Sequence, residues 1–145
     1  MSVLAQDCPP PIVSDGGAGV EQFENFLTDR GSKYAVSGGA VSSRAEVKTF
    51  LKELTRQKRY ARATHNTWAA VLPDGPAKGD DGEAGAGMTI LRMLEREGLS
   101  DHIVVVTRWF GGTKLGGDRF RRVQDAVDHY LKHAQHTGAG RHAET

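Results

Sequence analysis

The segment His102–Thr107 (HIVVVT) constrains this chain most. Ile103, Val104, Val105 and Val106 are consecutive and apolar. A strand with that pattern has no polar face, which points to burial on both faces. Directly behind it comes a glycine-rich turn, and then an apolar stripe of helical spacing from about Asp118 to His133: Phe120, Val123, Val127, Tyr130 and Leu131. The run Ile103–Val106 is far too short to span a bilayer.

The rest of the chain alternates in the same way. Lys33–Val41 (KYAVSGGAV) is expected to be a strand, weakened by Gly38 and Gly39. Ser43 and Glu46 then have the spacing of a helix capping box. Val47, Phe50, Leu51 and Leu54 behind them share one helical face that ends near Gln57. Thr64–Leu72 reads as a second strand, stopped by Pro73, Gly75 and Pro76. Met88, Ile90, Leu91, Met93 and Leu94 cover most of the circumference of a second helix, which is therefore expected to be well buried, with Gly98 as its stop. Alternating strands and helices imply an α/β layer structure whose sheet order the pattern does not give. At 145 residues the chain fits one domain. Residues 1–19, with three consecutive prolines and SDGGAG, read as a flexible tail. Residues 20–135 read as the folded domain, and residues 136–145 as a second tail.

Net charge is +1, so no global field selects nucleic acid and any basic surface must be local. A single cysteine, Cys8, excludes an internal disulfide and favours a reducing compartment. It sits in the tail with no positioned base, which makes it a poor nucleophile. The N-terminus has neither a basic start nor a long apolar run, so no signal peptide is expected, and the location is read as the cytoplasm, or else the nucleus.

Chemistry is densest in Arg108–Arg122 (RWFGGTKLGGDRFRR). Arg108, Lys114, Arg119, Arg121 and Arg122 stand there against one acid, Asp118, together with Trp109, Phe110, Gly111, Gly112, Gly116 and Gly117. Glycines between a strand and a helix permit positive φ and close approach of a ligand to the backbone, and a helix start suits an anion. Arginine beside an aromatic suits phosphate contact with base stacking. The same residues equally suit a tight turn with Trp109 and Phe110 in the core and Arg121 and Arg122 in solvent. No P-loop or dinucleotide fingerprint is present. At least one of Gly111 and Gly112 is expected to have a positive φ. Arg108 and Lys114 are expected on one surface, close to Asp80 or Glu83.

The second segment is GDDGEAGAG, Gly79–Gly87. Asp80, Asp81 and Glu83 suit a hard cation such as magnesium. They also complement the dipole at a helix start, which is favoured because a metal site needs more ligands than one loop supplies. His65 and Asn66, with Trp68, lie in the second strand, where a histidine is more often a hydrogen-bonded structural group than a base. His129 and His133 have the i, i+4 spacing of a zinc pair but no third ligand, and read as a solvated face.

Together, ATHN at Ala63–Asn66, DDGE at Asp80–Glu83 and VVVTRWFGGTKLG at Val104–Gly116 resemble the IMPACT family, and the RGSKY start at Arg30–Tyr34 is similar too. The resemblance covers roughly Gly31–Tyr130. Ala84 stands where bacterial, YigZ-like members usually have a proline and a longer glycine run, and GGDRF at Gly116–Phe120 is closer to the eukaryotic type. The resemblance implies a mixed four-stranded sheet with helices on one side and a left-handed βαβ crossover, as in domain IV of elongation factor G and a small-subunit ribosomal protein. Eukaryotic members carry a separate N-terminal RWD domain and bacterial members a second small domain; neither is expected here.

The function implied is a non-enzymatic binding module in the regulation of translation, in the amino-acid-starvation pathway of the initiation-factor-two kinase. RNA, the ribosome or a regulatory protein would be its partner, without cofactor, metal, membrane or small-molecule substrate. Arg108, Trp109, Phe110, Gly111, Gly112, Lys114, Arg119 and Arg122 would make the contacts, with His65, Asn66, Asp80, Asp81 and Glu83 as an acidic loop and its neighbours. The alternatives are a small magnesium-dependent enzyme acting on a phosphorylated substrate, and a pure protein-interaction module.

Overall fold

In the computed structural model, which describes residues 12–13 and 19–134, the HIVVVT segment is the centre of a six-stranded sheet. In chain order the elements are β1 (Ile12–Val13), β2 (Gly19–Asp29), β3 (Ser32–Ala40), α1 (Arg44–Thr55), α2 (Lys58–Ala61), β4 (His65–Leu72), β5 (Gly75–Gly79), α3 (Ala86–Arg96), β6 (His102–Trp109) and α4 (Asp118–His133). The sheet order is β1-β2-β3-β6-β4-β5, and every described pairing is antiparallel. β3 and β4 therefore run parallel with β6 between them, and α1 and α2 form the crossover.

Three expectations about the sheet need correction. It has six strands rather than four, it is antiparallel rather than mixed, and helices cover both faces rather than one. The reason lies in the pleat. Val104 and Val106 of β6 join Tyr34 and Val36 of β3 on one face, under Ile90, Leu91 and Leu94 of α3 and Val123, Val127 and Tyr130 of α4. Ile103 and Val105 join Ala35, Ala70 and Leu72 on the other, under Val47, Phe50 and Leu54 of α1 and Tyr60 of α2. A strand apolar on both faces needs both layers.

Three strands, β1, β2 and β5, are not expected from the sequence. β2 contains a register irregularity: between Phe23 and Leu27 it advances four residues while β3 advances two, which destroys the alternation by which strands are recognised. β5 is short and carries Pro76, and it pairs with β4 through the Pro73–Asp74 turn, where Gly75 takes φ +130°. Inside the segment read as a flexible tail, Ile12 and Val13 pair with Val20 and Gly19. Cys8 and the expected tail at residues 136–145 lie outside the described residues.

The helices follow their sequence signals closely. Ser43 Oγ accepts from the Glu46 amide, while Glu46 Oε1 accepts from the Ser42 amide, so the reciprocal half of the capping box falls one residue early. α3 ends in a Schellman turn, in which Gly98 has φ +73° and the Leu99 and Gly98 amides donate to Leu94 and Glu95 carbonyls. Met88, assigned above to a well-buried helix, is exposed. Among the described residues no helix is long and apolar enough to cross a membrane.

Gly38 does more than weaken β3. A Cβ there would stand 2.3 Å from the Tyr130 ring, and the Tyr130 hydroxyl and His102 Nε2 are 2.6 Å apart. The absent side chain makes the hole that seats α4 on the sheet. Gly38→Ala is expected to lower stability by about 2–3 kcal/mol, the cost of overpacking a rigid aromatic contact. A denaturant unfolding curve measures it, and a loss under about 0.5 kcal/mol would mean that α4 is not fixed there.

Candidate functional site

The motif segments meet at one end of the sheet, where β3 begins and β6 finishes. Lys33 lies beside Trp109 and Tyr34 beside Arg108 in the β3–β6 ladder, and His65 of β4 lies beside Arg108 from the other side. The β2–β3 turn, with Arg30 at φ +49° and Gly31 at φ +87°, packs on the glycine turn that follows β6. This contact requires two glycines: a Cβ on Gly111 would fall 2.0 Å from the Gly31 carbonyl carbon. The Gly111 amide donates to Ser32 Oγ at 3.2 Å. Gly112, with φ +95°, supplies the positive φ that the turn requires.

Below this contact lies an ion pair. Arg108 is 5% exposed and Glu83 4%, and Arg108 Nη1 donates to Glu83 Oε2 at 2.6 Å. Arg108 Nε donates to Ser32 Oγ at 3.4 Å, and Arg119 Nε approaches the same Glu83 oxygen at 3.5 Å. Burial pushes the Tyr34 hydroxyl, electrostatically coupled to Arg108 and Glu83, up to about 12. Arg108 was expected to contact a partner, and that expectation is corrected: its charge is internal and satisfied by Glu83. Arg119 also donates to the Gly116 carbonyl and covers the Phe120 ring. Arg122 pairs with Asp29 and Asp125, and Arg30 pairs with Asp118. Of the four cations proposed for partner contact, Lys114 alone is exposed without an acidic partner among the described residues.

The DDGE loop diverges instead of converging. Asp80 turns to the start of α3, where Oδ2 accepts from the Gly85 amide at 3.0 Å and Oδ1 from the Gly87 amide at 2.8 Å. Those two bonds hold its carboxyl below the usual range. Gly85 itself has no side chain to cap α3, so Asp80 caps it from five residues upstream. Asp81, at φ +50°, turns the other way and accepts from the Asn66 amide at 2.6 Å, while its carbonyl accepts from His65 Nδ1 at 2.8 Å. Asn66 bridges onward, accepting from Thr107 Oγ1 at 2.7 Å and donating to the Tyr60 carbonyl at 3.0 Å. Each carboxylate thus ties a different element to the loop. Among the described residues no group of three or more His, Cys, Asp or Glu side chains is placed to hold a metal ion. His129 stacks on Phe26 with ring centroids 4.9 Å apart, so it is not simply on a solvated face; burial, first, and His133 hold its pKa down.

The open feature is a groove of about 530 Å³ lined by Gly31, Lys33, Arg59, Arg62, Trp109 and Phe110. Phe110 is 47% exposed. Trp109 is half-buried: its Nε1 donates to the Arg59 carbonyl at 3.0 Å, its ring meets Tyr60 edge-on, and the Arg59 guanidinium lies 4.5 Å from its centroid. Arg59 Nη1 also donates to Glu24 at 3.2 Å. Lys33, Arg59 and Arg62 were absent from the sequence-based site, because they come from β3, α2 and the residue capping α2, far from the glycine turn in sequence. The available signals were the run KRYAR at Lys58–Arg62 and, for Lys33, the RGSKY segment at Arg30–Tyr34.

An α/β sheet domain with a cationic, aromatic-edged groove at one sheet end is the class that fold and site define. Residues 30–131 match the sequence profile of the Impact N-terminal domain. Protein IMPACT-A of Xenopus tropicalis is 32% identical over 137 residues, covering 85% of this chain and 42% of that protein. The IMPACT homolog of Schizosaccharomyces pombe is 33% identical over 106 residues, covering 70% and 38%. The chain belongs to the IMPACT family, and it spans about two-fifths of the length of these relatives. A crystal structure described only as that of a hypothetical protein has the same fold, with TM-score 0.66 and 22% identity, over 86% of this chain and 58% of that one.

Two outcomes are expected. Glu83→Ala leaves Arg108 buried and uncompensated and should cost about 3–5 kcal/mol, whereas Glu83→Leu with Arg108→Met should recover most of it; unfolding curves of the three proteins test the pair, and an equally unstable double variant would exclude it. Asp80 has its folded pKa below its unfolded one. Its contribution is therefore present above the unfolded value of about 3.9 and is lost as pH falls through the lower folded value. An acid unfolding titration should show a shallower fall in that window for Asp80→Asn, and an unchanged profile would count against the capping role.

Proposed function

We propose that this chain is a non-catalytic binding module acting in the regulation of translation, and that it meets the ribosome through the groove between Lys33, Arg62 and Phe110. Membership in the IMPACT family supports the translational setting. The observation that carries the surface is the placing of Lys33 and Arg62 around one groove, beside Arg59 which Glu24 pairs, with no acidic side chain lining it, in a chain of net charge +1. A local field of that kind steers a polyanion even when the whole protein is nearly neutral. The non-catalytic reading is supported by the carboxylates: Asp80, Asp81 and Glu83 are each engaged in joining elements, which leaves no acid–base pair or nucleophile aimed into the groove.

Co-sedimentation with ribosomal subunits tests this. Binding is expected at low salt and should decline steeply as salt rises, because phosphate contacts release counterions. Lys33→Ala and Arg62→Ala should each weaken binding with stability unchanged within about 0.5 kcal/mol, since both side chains are exposed. Salt-independent sedimentation, or full binding by both variants, would overturn the surface. Turnover of a phosphorylated substrate that disappears in Asp81→Asn would overturn the non-catalytic reading.

A further inference from the structure

We infer that the groove takes an unpaired stretch of nucleic acid, RNA in the translational setting, with one base against the Phe110 ring and the adjoining phosphates against Lys33 and Arg62. The inference rests on the groove being the contact surface and names what enters it.

Size comes first. About 530 Å³ lies within the range of roughly 300–1,000 Å³ typical of small-ligand sites. A base with its sugar and phosphate fits such a space. Duplex RNA is instead read by shape over a long surface of about 16 base pairs, which a local groove at one sheet end does not offer.

The ring decides between polyanions. Phe110 is a large apolar side chain left 47% exposed at the rim of a cationic groove. It is held in place: its amide donates to Thr64 Oγ1 at 2.9 Å, and the Arg108 guanidinium lies 5.7 Å from its ring centroid. Arg108 is in turn fixed by Glu83, so the ring stands on a rigid support. An acidic peptide gains little from a bare phenyl group, whereas every nucleobase has a face to stack on it, without regard to sequence. Trp109 does not compete for that role, because Tyr60 and Arg59 already contact its ring. It holds Arg59 at the groove wall, where Glu24 already pairs with that guanidinium.

The cations fit the same ligand. Lys33 projects from the first turnward residues of β3, and Arg62 caps α2, so the two charges come from elements on either side of the β6 end that carries Phe110. Stacking on a bare ring and contact with phosphate do not distinguish the bases, and binding through them should therefore be nearly indifferent to sequence.

Fluorescence anisotropy with a labelled twelve-nucleotide oligouridine, the same length of RNA duplex, and polyglutamate as competitor tests the inference on the whole chain. The single strand should bind at least tenfold more tightly than the duplex and resist polyglutamate. Phe110→Ala should weaken it about tenfold without changing the salt slope, and Phe110→Trp should keep it. Lys33→Ala and Arg62→Ala should each reduce the log–log salt slope by about 0.7. Thermal melts establish that each variant is folded. Equal binding of duplex, full displacement by polyglutamate, or an unaffected Phe110→Ala would overturn the inference. If ribosomes are retained through Lys33 and Arg62 while free oligouridine is not bound, the inference fails and the proposed function stands. If neither binds, both fail.

Discussion

The buried pair of Arg108 and Glu83 is the interaction on which the rest of this structure depends. Arg108 lies at the end of the central strand, Glu83 in the loop before the third helix, Ser32 at the start of the adjacent strand and Arg119 in the first turn of the last helix. Two guanidinium groups thus reach the Glu83 carboxylate, and Ser32 joins them through Arg108. Two charges withdrawn from water gain little net stability over an apolar contact of equal volume, but each is costly without the other. Such a pair specifies an arrangement more than it strengthens one. Here the arrangement is that of two segments, DDGE and RWFGG, which lie far apart in sequence and are joined by this ion pair.

The remaining acids extend the same logic outwards. Asp80 organises the start of α3, and Asp81 fixes the entry of β4 through Asn66, whose side chain reaches both the central strand and α2. A cluster of carboxylates in a loop looks like a cation site until the direction of each is known. In this chain every one already receives hydrogens from protein donors, and the loop acts as a buckle between helix, sheet and groove.

Much of the fold was legible because its signals are local. The apolar run of β6, the capping residues before α1, the stripe of α4 and the stop at Gly98 each lie within a few residues of the structure they specify. β2 escaped because its register irregularity breaks the alternation, and β5 because a proline and two glycines disguise a short edge strand. The site was half legible. The motifs do assemble in one place, and the acidic and basic segments do meet. However, sequence cannot tell an arginine that faces solvent from one that faces a buried glutamate, so Arg108 reads as a surface cation although it is buried against Glu83. Lys33, Arg59 and Arg62 were missed for the converse reason: they become neighbours of Phe110 only when β3, α2 and β6 come together at one end of the sheet.

The contact between Gly31 and Gly111 has a consequence for how this surface diversifies. Where the two turns touch, the groove is bounded by bare main chain, and no side chain larger than hydrogen fits at Gly111. The floor is thus closed to variation by substitution. Lys33, Arg62 and Phe110 line the same groove as exposed side chains, so substitution there meets no such barrier.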